Sequence, residues 1–158
     1  MALPTYPPAM PAPSPNIKML ERGQQNYFFT NAVATNAPGS NVSGYGNTGG
    51  APTGSVVYGI PASKGVEGAL QDYVLQIDAY GASATQGPSA VVVVYGSLDN
   101  VLFYPIYTAT TVTTTGALVF LAKQVTPGIK IRYITAGITV YAGSGGTTDS
   151  VTASIYGG

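Results

Sequence analysis

From Tyr27 onward, no apolar stretch of this chain repeats at the interval of an amphipathic helix; each is short and closes in a cluster of Gly, Pro, Asn, Ser or Thr. That property leaves strands as the regular structure open to it. Eight runs qualify: 27–34 (YFFTNAVA), 54–60 (GSVVYGI), 71–80 (QDYVLQIDAY), 90–97 (AVVVVYGS), 101–108 (VLFYPIYT), 117–123 (ALVFLAK), 129–142 (GIKIRYITAGITVY) and 150–156 (SVTASIY). Val, Ile, Thr and Tyr recur in them because branched and flat side chains pack well on a pleated surface. Short strands without crossover helices predict an all-β domain, an antiparallel β-sandwich of jelly-roll type.

The strands also predict which faces are buried. In 71–80, Tyr73, Leu75, Ile77 and Ala79 alternate with Asp72, Gln76 and Asp78, so the first set is expected to face a core and the second water. Val91 to Val94 is apolar at both parities, as in a central strand covered on both sides, or on one side and at a subunit interface. In 129–142, Lys130 and Arg132 share parity with Ile134, Ile138 and Val140. A bulge at Ala136-Gly137 would resolve the conflict by exchanging faces.

The first 26 residues are different. Pro4, Pro7, Pro8, Pro11, Pro13 and Pro15 are half of the twelve prolines in the chain. Each removes an amide donor and holds the residue before it extended, which excludes helix and central strand. The reading is therefore an extended arm, 1–26, ahead of a folded domain, 27–158. Within the arm, Asn16 to Arg22 could form one or two helical turns, capped by Asn16, stopped by Gly23, and packed through Ile17, Met19 and Leu20. The arm carries no charge before Lys18. It is either a solvated tail or a segment that docks on a neighbouring chain, with Leu3, Tyr6, Met10, Ile17, Met19 and Leu20 as the contact residues.

Composition narrows the chemistry. The chain has no His, Cys or Trp, which removes His-assisted nucleophiles, disulfides and Cys or His metal ligands. Six cationic and six acidic residues give zero net charge. Lys123, Lys130 and Arg132 form the one cationic group, too small a footprint for nucleic acid and better suited to ion pairs. Asp72 and Asp78, six residues apart on one strand, would lie about 20 Å apart, too far for paired acid–base work. Asp99, in Gly96-Ser97-Leu98-Asp99-Asn100, reads as a turn residue. A calcium ion at Asp99, Asn100 or Asp149 lacks the alternating ligand spacing that such loops use. Gly143-Ser144-Gly145-Gly146 lacks the Lys-Ser/Thr sequel of a phosphate loop. No cofactor, metal or catalytic residue is expected, and the chain is read as not an enzyme. A weakly charged, hydroxyl-rich surface has little repulsion to keep copies apart, so association is expected. No run reaches the roughly 20 apolar residues of a membrane span, and the start lacks the cationic and apolar parts of an export signal, which is the pattern of synthesis in the cytoplasm. The segment 35–54 around Val42 and Tyr45 is a long Gly-rich loop, of a kind that is either functional or mobile.

From Val91 onward, the order VVVVYGSLDNVLFYPI, a Thr-rich connection, GALVFLAKQ, IKIRYITAGITVYAG, a Gly-rich turn and VTASIYGG resembles the β-sandwich modules of capsid decoration (cement) proteins and minor virion components of tailed bacteriophages. Gly96-Ser97-Leu98-Asp99 and Ile131-Arg132-Tyr133-Ile134 carry most of the likeness. The resemblance covers less than half of the chain and implies a non-enzymatic protein on the outside of an assembled capsid, often a trimer. Its partners would be the major capsid protein and itself, and its place the virion surface after synthesis in the host cytoplasm. The competing expectation is a carbohydrate- or receptor-binding sandwich of a phage tail or other extracellular assembly, using Tyr45 and the long loops.

Overall fold

The computed structural model describes residues 17–21, 23–32, 50–60, 73–80, 89–109, 112–113, 119–124, 131–142 and 150–157. These contain ten strands and no helix: β1 (Ile17–Met19), β2 (Gln25–Ala32), β3 (Val57–Gly59), β4 (Tyr73–Tyr80), β5 (Ser89–Ser97), β6 (Tyr104–Thr108), β7 (Val112–Thr113), β8 (Val119–Gln124), β9 (Tyr133–Ala142) and β10 (Ser150–Gly157). Each of the eight strand runs overlaps one of them. Of the remaining two, β7 lies in the Thr-rich connection 108–115, strand-prone through its β-branched residues, and β1 in the segment expected to form a helical turn.

The strands form two sheets. One has the order β1-β3-β9-β5-β6, with β7 also on β5, and the other the order β2-β10-β4-β8. All pairings are antiparallel except β1 with β3. Apolar residues of both sheets meet in one cluster: Phe28, Leu75, Ile77 and Ile155 from the second sheet, Val92, Val94, Ile134 and Ile138 from the first. The alternation in β4 is as expected where its side chains are described, with Leu75 and Ile77 buried and Gln76 and Asp78 half-exposed.

β5 is apolar at both parities because both of its faces are covered by this chain. Val92 and Val94 point into the shared core. Val93 and Tyr95 point the other way and pack with Val57 and Phe103, with Ala51, Val91 and Tyr133 alongside. No second subunit is needed to bury that face. β6 then runs along the edge of β5, where Pro105 opposite Tyr95 costs little because an edge strand needs no outward amide.

Two expectations are corrected. Residues 17–19 are a strand, not a helical turn: seven residues cannot offset the cost of nucleating a helix, whereas β3 supplies ready ladder partners at Val57, Tyr58 and Gly59. Leu20 N continues that ladder to Gly59 O at 2.9 Å, so the backbone of residues 17–20 is tied to β3. Gly23, with φ 71°, marks the turn into β2 instead of a helix stop. The bulge in β9 also lies elsewhere. Ala136 and Gly137 pair in register with Val94 and Val93, and the extra residue is Thr139, between the pairs Val91–Val140 and Val92–Ile138. The parity conflict ends earlier, at a bend at Arg132, which lets Ile131 and Ile134 enter the same core. Both backbone groups of Arg132 are used there: its N–H donates to Ser97 O and its carbonyl accepts from Ile60 N, each at 2.8 Å.

The turn at Ser97–Leu102 is built as its sequence suggests. Asp99 Oδ1 accepts from Val101 N (2.8 Å), Leu102 N (2.9 Å) and Ser97 Oγ (3.1 Å), while Ser97 Oγ accepts from Asn100 N (3.0 Å). The amides of Leu102 and Val101, with the Ser97 hydroxyl, hold the Asp99 carboxyl below the usual carboxylate range. A carboxylate with a lowered folded pKa stabilises above its unfolded value and loses that contribution as pH falls through the folded one. Asp99→Asn keeps an acceptor at Oδ1 but cannot titrate. Urea titrations should find it less stable than wild type at pH 7, by under about 1 kcal/mol for so exposed a group. At pH 3 the gap should shrink; an undiminished gap would show that the Asp99 charge contributes nothing.

Candidate functional site

The open side of the two-sheet fold brings two edge strands together: β1 of the first sheet and β2 of the second. A groove runs between them as two hollows of about 390 and 500 Å³ that share Lys18 and Tyr27. Phe28, Thr30 and Val56 line the first, and Met19, Glu21 and Tyr58 the second.

Its floor is fixed by polar stitches between the sheets. Val56 N donates to Phe28 O at 2.8 Å, and Tyr58 OH donates to Tyr27 O at 2.9 Å. The Thr135 hydroxyl donates to Val56 O at 2.9 Å, which leaves its oxygen free to accept the Ser55 hydroxyl, also at 2.9 Å. Burial, and then the Glu21 carboxylate, push the Tyr58 phenol above its ordinary pKa, so it stays a donor across the neutral range. The Phe28 and Tyr58 rings meet edge to face, 5.7 Å between centroids. Asn26, buried in β2, ties down the turn that joins the edge strands: its Nδ2 faces Glu21 O (3.0 Å) and Gln24 O (3.1 Å), and its Oδ1 accepts from Glu21 N (3.2 Å).

β2 is an irregular edge. Against β10 it carries one extra residue at Phe28 and another between Phe29 and Ala32, where Asn31 has φ 49°. The first bulge puts Phe28 and Phe29 both in the core and turns Tyr27 outward. Tyr27 is 42 % exposed, its hydroxyl donating to Gln25 Oε1 at 2.9 Å. Tyr156, 46 % exposed, stands opposite Gln25 in the ladder. With Ile17 at 45 % and Met19 at 57 %, three of the five exposed large apolar residues among those described are on these edges, and Tyr156 is on β10, next to β2; Leu98 is the fifth.

Of the six contact residues read from the sequence, Ile17 and Met19 are exposed on β1. Leu20 is not: it is 2 % exposed and belongs to the core, so it anchors β1 instead of facing a partner. Leu3, Tyr6 and Met10 lie outside the described residues, as do Tyr45, Asp72, Lys130, Asp149 and the Gly143–Gly146 turn. The exposure of Tyr27 and Tyr156 was not foreseen because it depends on a bulge and on the pairing of β2 with β10, neither of which leaves a local signal.

Among the described residues, no group of three or more acidic side chains is placed to hold a metal ion, and no helix is long and apolar enough to cross a membrane. Asp78 accepts from Gln76 Nε2 at 2.8 Å, and Asp99 is occupied by its turn. No family model, no curated protein and no solved structure matches this chain.

Proposed function

We propose that this chain is a structural virion protein: a jelly-roll-like β-sandwich that binds the outside of an assembled phage capsid as a homo-oligomer, on the trimer pattern, and bridges neighbouring capsid subunits. The observation that carries this is the exposure of Ile17, Met19 and Tyr27 on two adjoining edge strands, with Tyr156 on β10 beside them, at the root of the proline-rich arm. Edge strands recruit neighbouring chains through backbone hydrogen bonds, and apolar side chains beside them add affinity. The major capsid protein is the partner on this reading, and no catalytic step is involved. A protein that binds only the assembled shell stabilises it by mass action.

The Ile17→Ser, Met19→Ser double variant tests this, since both side chains are exposed and their loss should spare the fold. Binding to purified shells in a pelleting assay is expected to weaken about tenfold or more. Shell binding equal to wild type would remove these edges from the contact. A second reading, a carbohydrate- or receptor-binding module, is favoured by exposed Tyr27 beside Gln24, Gln25 and Glu21 in one hollow. It requires glycan binding that is lost in Tyr27→Ala, with no affinity for shells.

A further inference from the structure

The groove between β1 and β2 is lined by aromatic rings, Tyr27, Phe28 and Tyr58 among them, and Tyr156 stands beside it on β10. Its charged lining residues are one cation, Lys18, and one anion, Glu21, so it offers no net charge to a ligand. Aromatic, neutral grooves suit proline-rich segments, which are already extended and lose little entropy on docking. This chain carries such a segment: residues 1–16 hold six prolines and no charged side chain, and end where β1 begins.

The geometry points to residues 1–10 of a second copy as the occupant of this groove. The inference rests on the reading above only in that the arm meets a neighbouring chain, and it names that chain for the free protein. The length suffices: β2 is eight residues, a track of about 26 Å, and ten residues in polyproline II form span about 31 Å, enough to run along it. The occupant belongs to another copy because of how the arm starts. Lys18 is part of the groove wall, so the arm leaves from the wall itself. Pro11, Pro13 and Pro15 alternate with Met10, Ala12 and Ser14, and a residue before proline is biased against the compact conformations of a chain reversal. A sequence of that kind suits reach to a neighbouring copy better than return to its own groove. Each copy then gives one arm and accepts one, so the exchange builds a dimer or a closed ring.

The test uses the full chain without capsid, so its failure would leave shell binding to be judged separately. A photo-crosslinking residue replaces Tyr6 in a mixture of isotopically heavy and light chains. The expected product joins position 6 of one isotope to the 25–32 peptide of the other. Joins within single chains only, or joins to other peptides, would overturn the proposal. In sedimentation, Tyr27→Ala should weaken self-association about tenfold or more, with an unchanged melting temperature at a dilution where both proteins are monomers. Leu98→Ala is the control. It is 53 % exposed but lies beyond three successive pairings across the first sheet, Ser97 to Tyr133, Tyr133 to Gly59 and Gly59 to Met19. A monomer at all concentrations, or equal association by Tyr27→Ala and wild type, would also overturn it.

Discussion

Phe103→Ala should lower the unfolding free energy by about 3–5 kcal/mol, although the residue is outside the long strands and follows a surface turn. Phe103 is fully buried and closes the outer face of β5 over Val93 and Tyr95, with Val57 beside it. Removing the ring loses its transfer free energy and leaves a cavity that the stiff β5–β9 ladder cannot collapse into. A domain of this size has about 5–15 kcal/mol in all, so the loss is a large share. Urea denaturation would read it as a lower midpoint at an unchanged slope. Leu98→Ala, on the same turn but 53 % exposed, should stay within about 0.5 kcal/mol. A loss for Phe103→Ala below about 1 kcal/mol would mean that the outer face of β5 is covered by something other than this side chain.

Gly96→Ala should be nearly as damaging, for the opposite reason. A Cβ at this position would sit 2.5 Å from Ile131 Cγ2 and 3.1 Å from Ile106 Cγ2. An alanine in mid-strand ordinarily gains over glycine by restricting the unfolded chain, but by no more than about 1 kcal/mol. Here overlap wins, because Ile131 is 3 % exposed and Cγ2 sits on its branched carbon, not at a flexible tip. Overpacking of this kind costs about 1–3 kcal/mol. Since one contact causes the cost, Ile131→Ala should make the second substitution cheaper, and the double-mutant cycle should show a coupling of about 0.5–3 kcal/mol. Strict additivity would show that the strand shifts to admit the methyl group without meeting Ile131.

Much of the all-β character was legible because strand patterning is local. The alternation of Leu75 and Ile77 with Gln76 and Asp78 states its own faces, and the doubly apolar Val91–Val94 run announced a covered strand. What was illegible depended on distant partners. Ile17–Met19 has no strand signature of its own and becomes one because β3 offers a parallel ladder. The change of face ahead of β9 comes from a bend at Arg132, not from the expected bulge at Ala136-Gly137, because the Arg132 backbone is held by Ser97 and Ile60, residues far away in sequence. The exposed apolar residues were half legible: Ile17 and Met19 were read from the apolar arm root, whereas Tyr27 and Tyr156 come together only through the β2–β10 register.

That register has a consequence for how the chain is born. β10 lies between β2 and β4, and the Gln25–Ser154 hydrogen bond joins residues 129 positions apart. During synthesis, β2 emerges before β3 to β9 and waits, without its neighbour, until β10 has followed them. Closing so long a loop before any ladder rewards it makes folding slow and late. For that interval the β2 and β4 edges that β10 will join stand open, and bulges such as those in β2 make a lone strand edge a poorer template for wrong pairing.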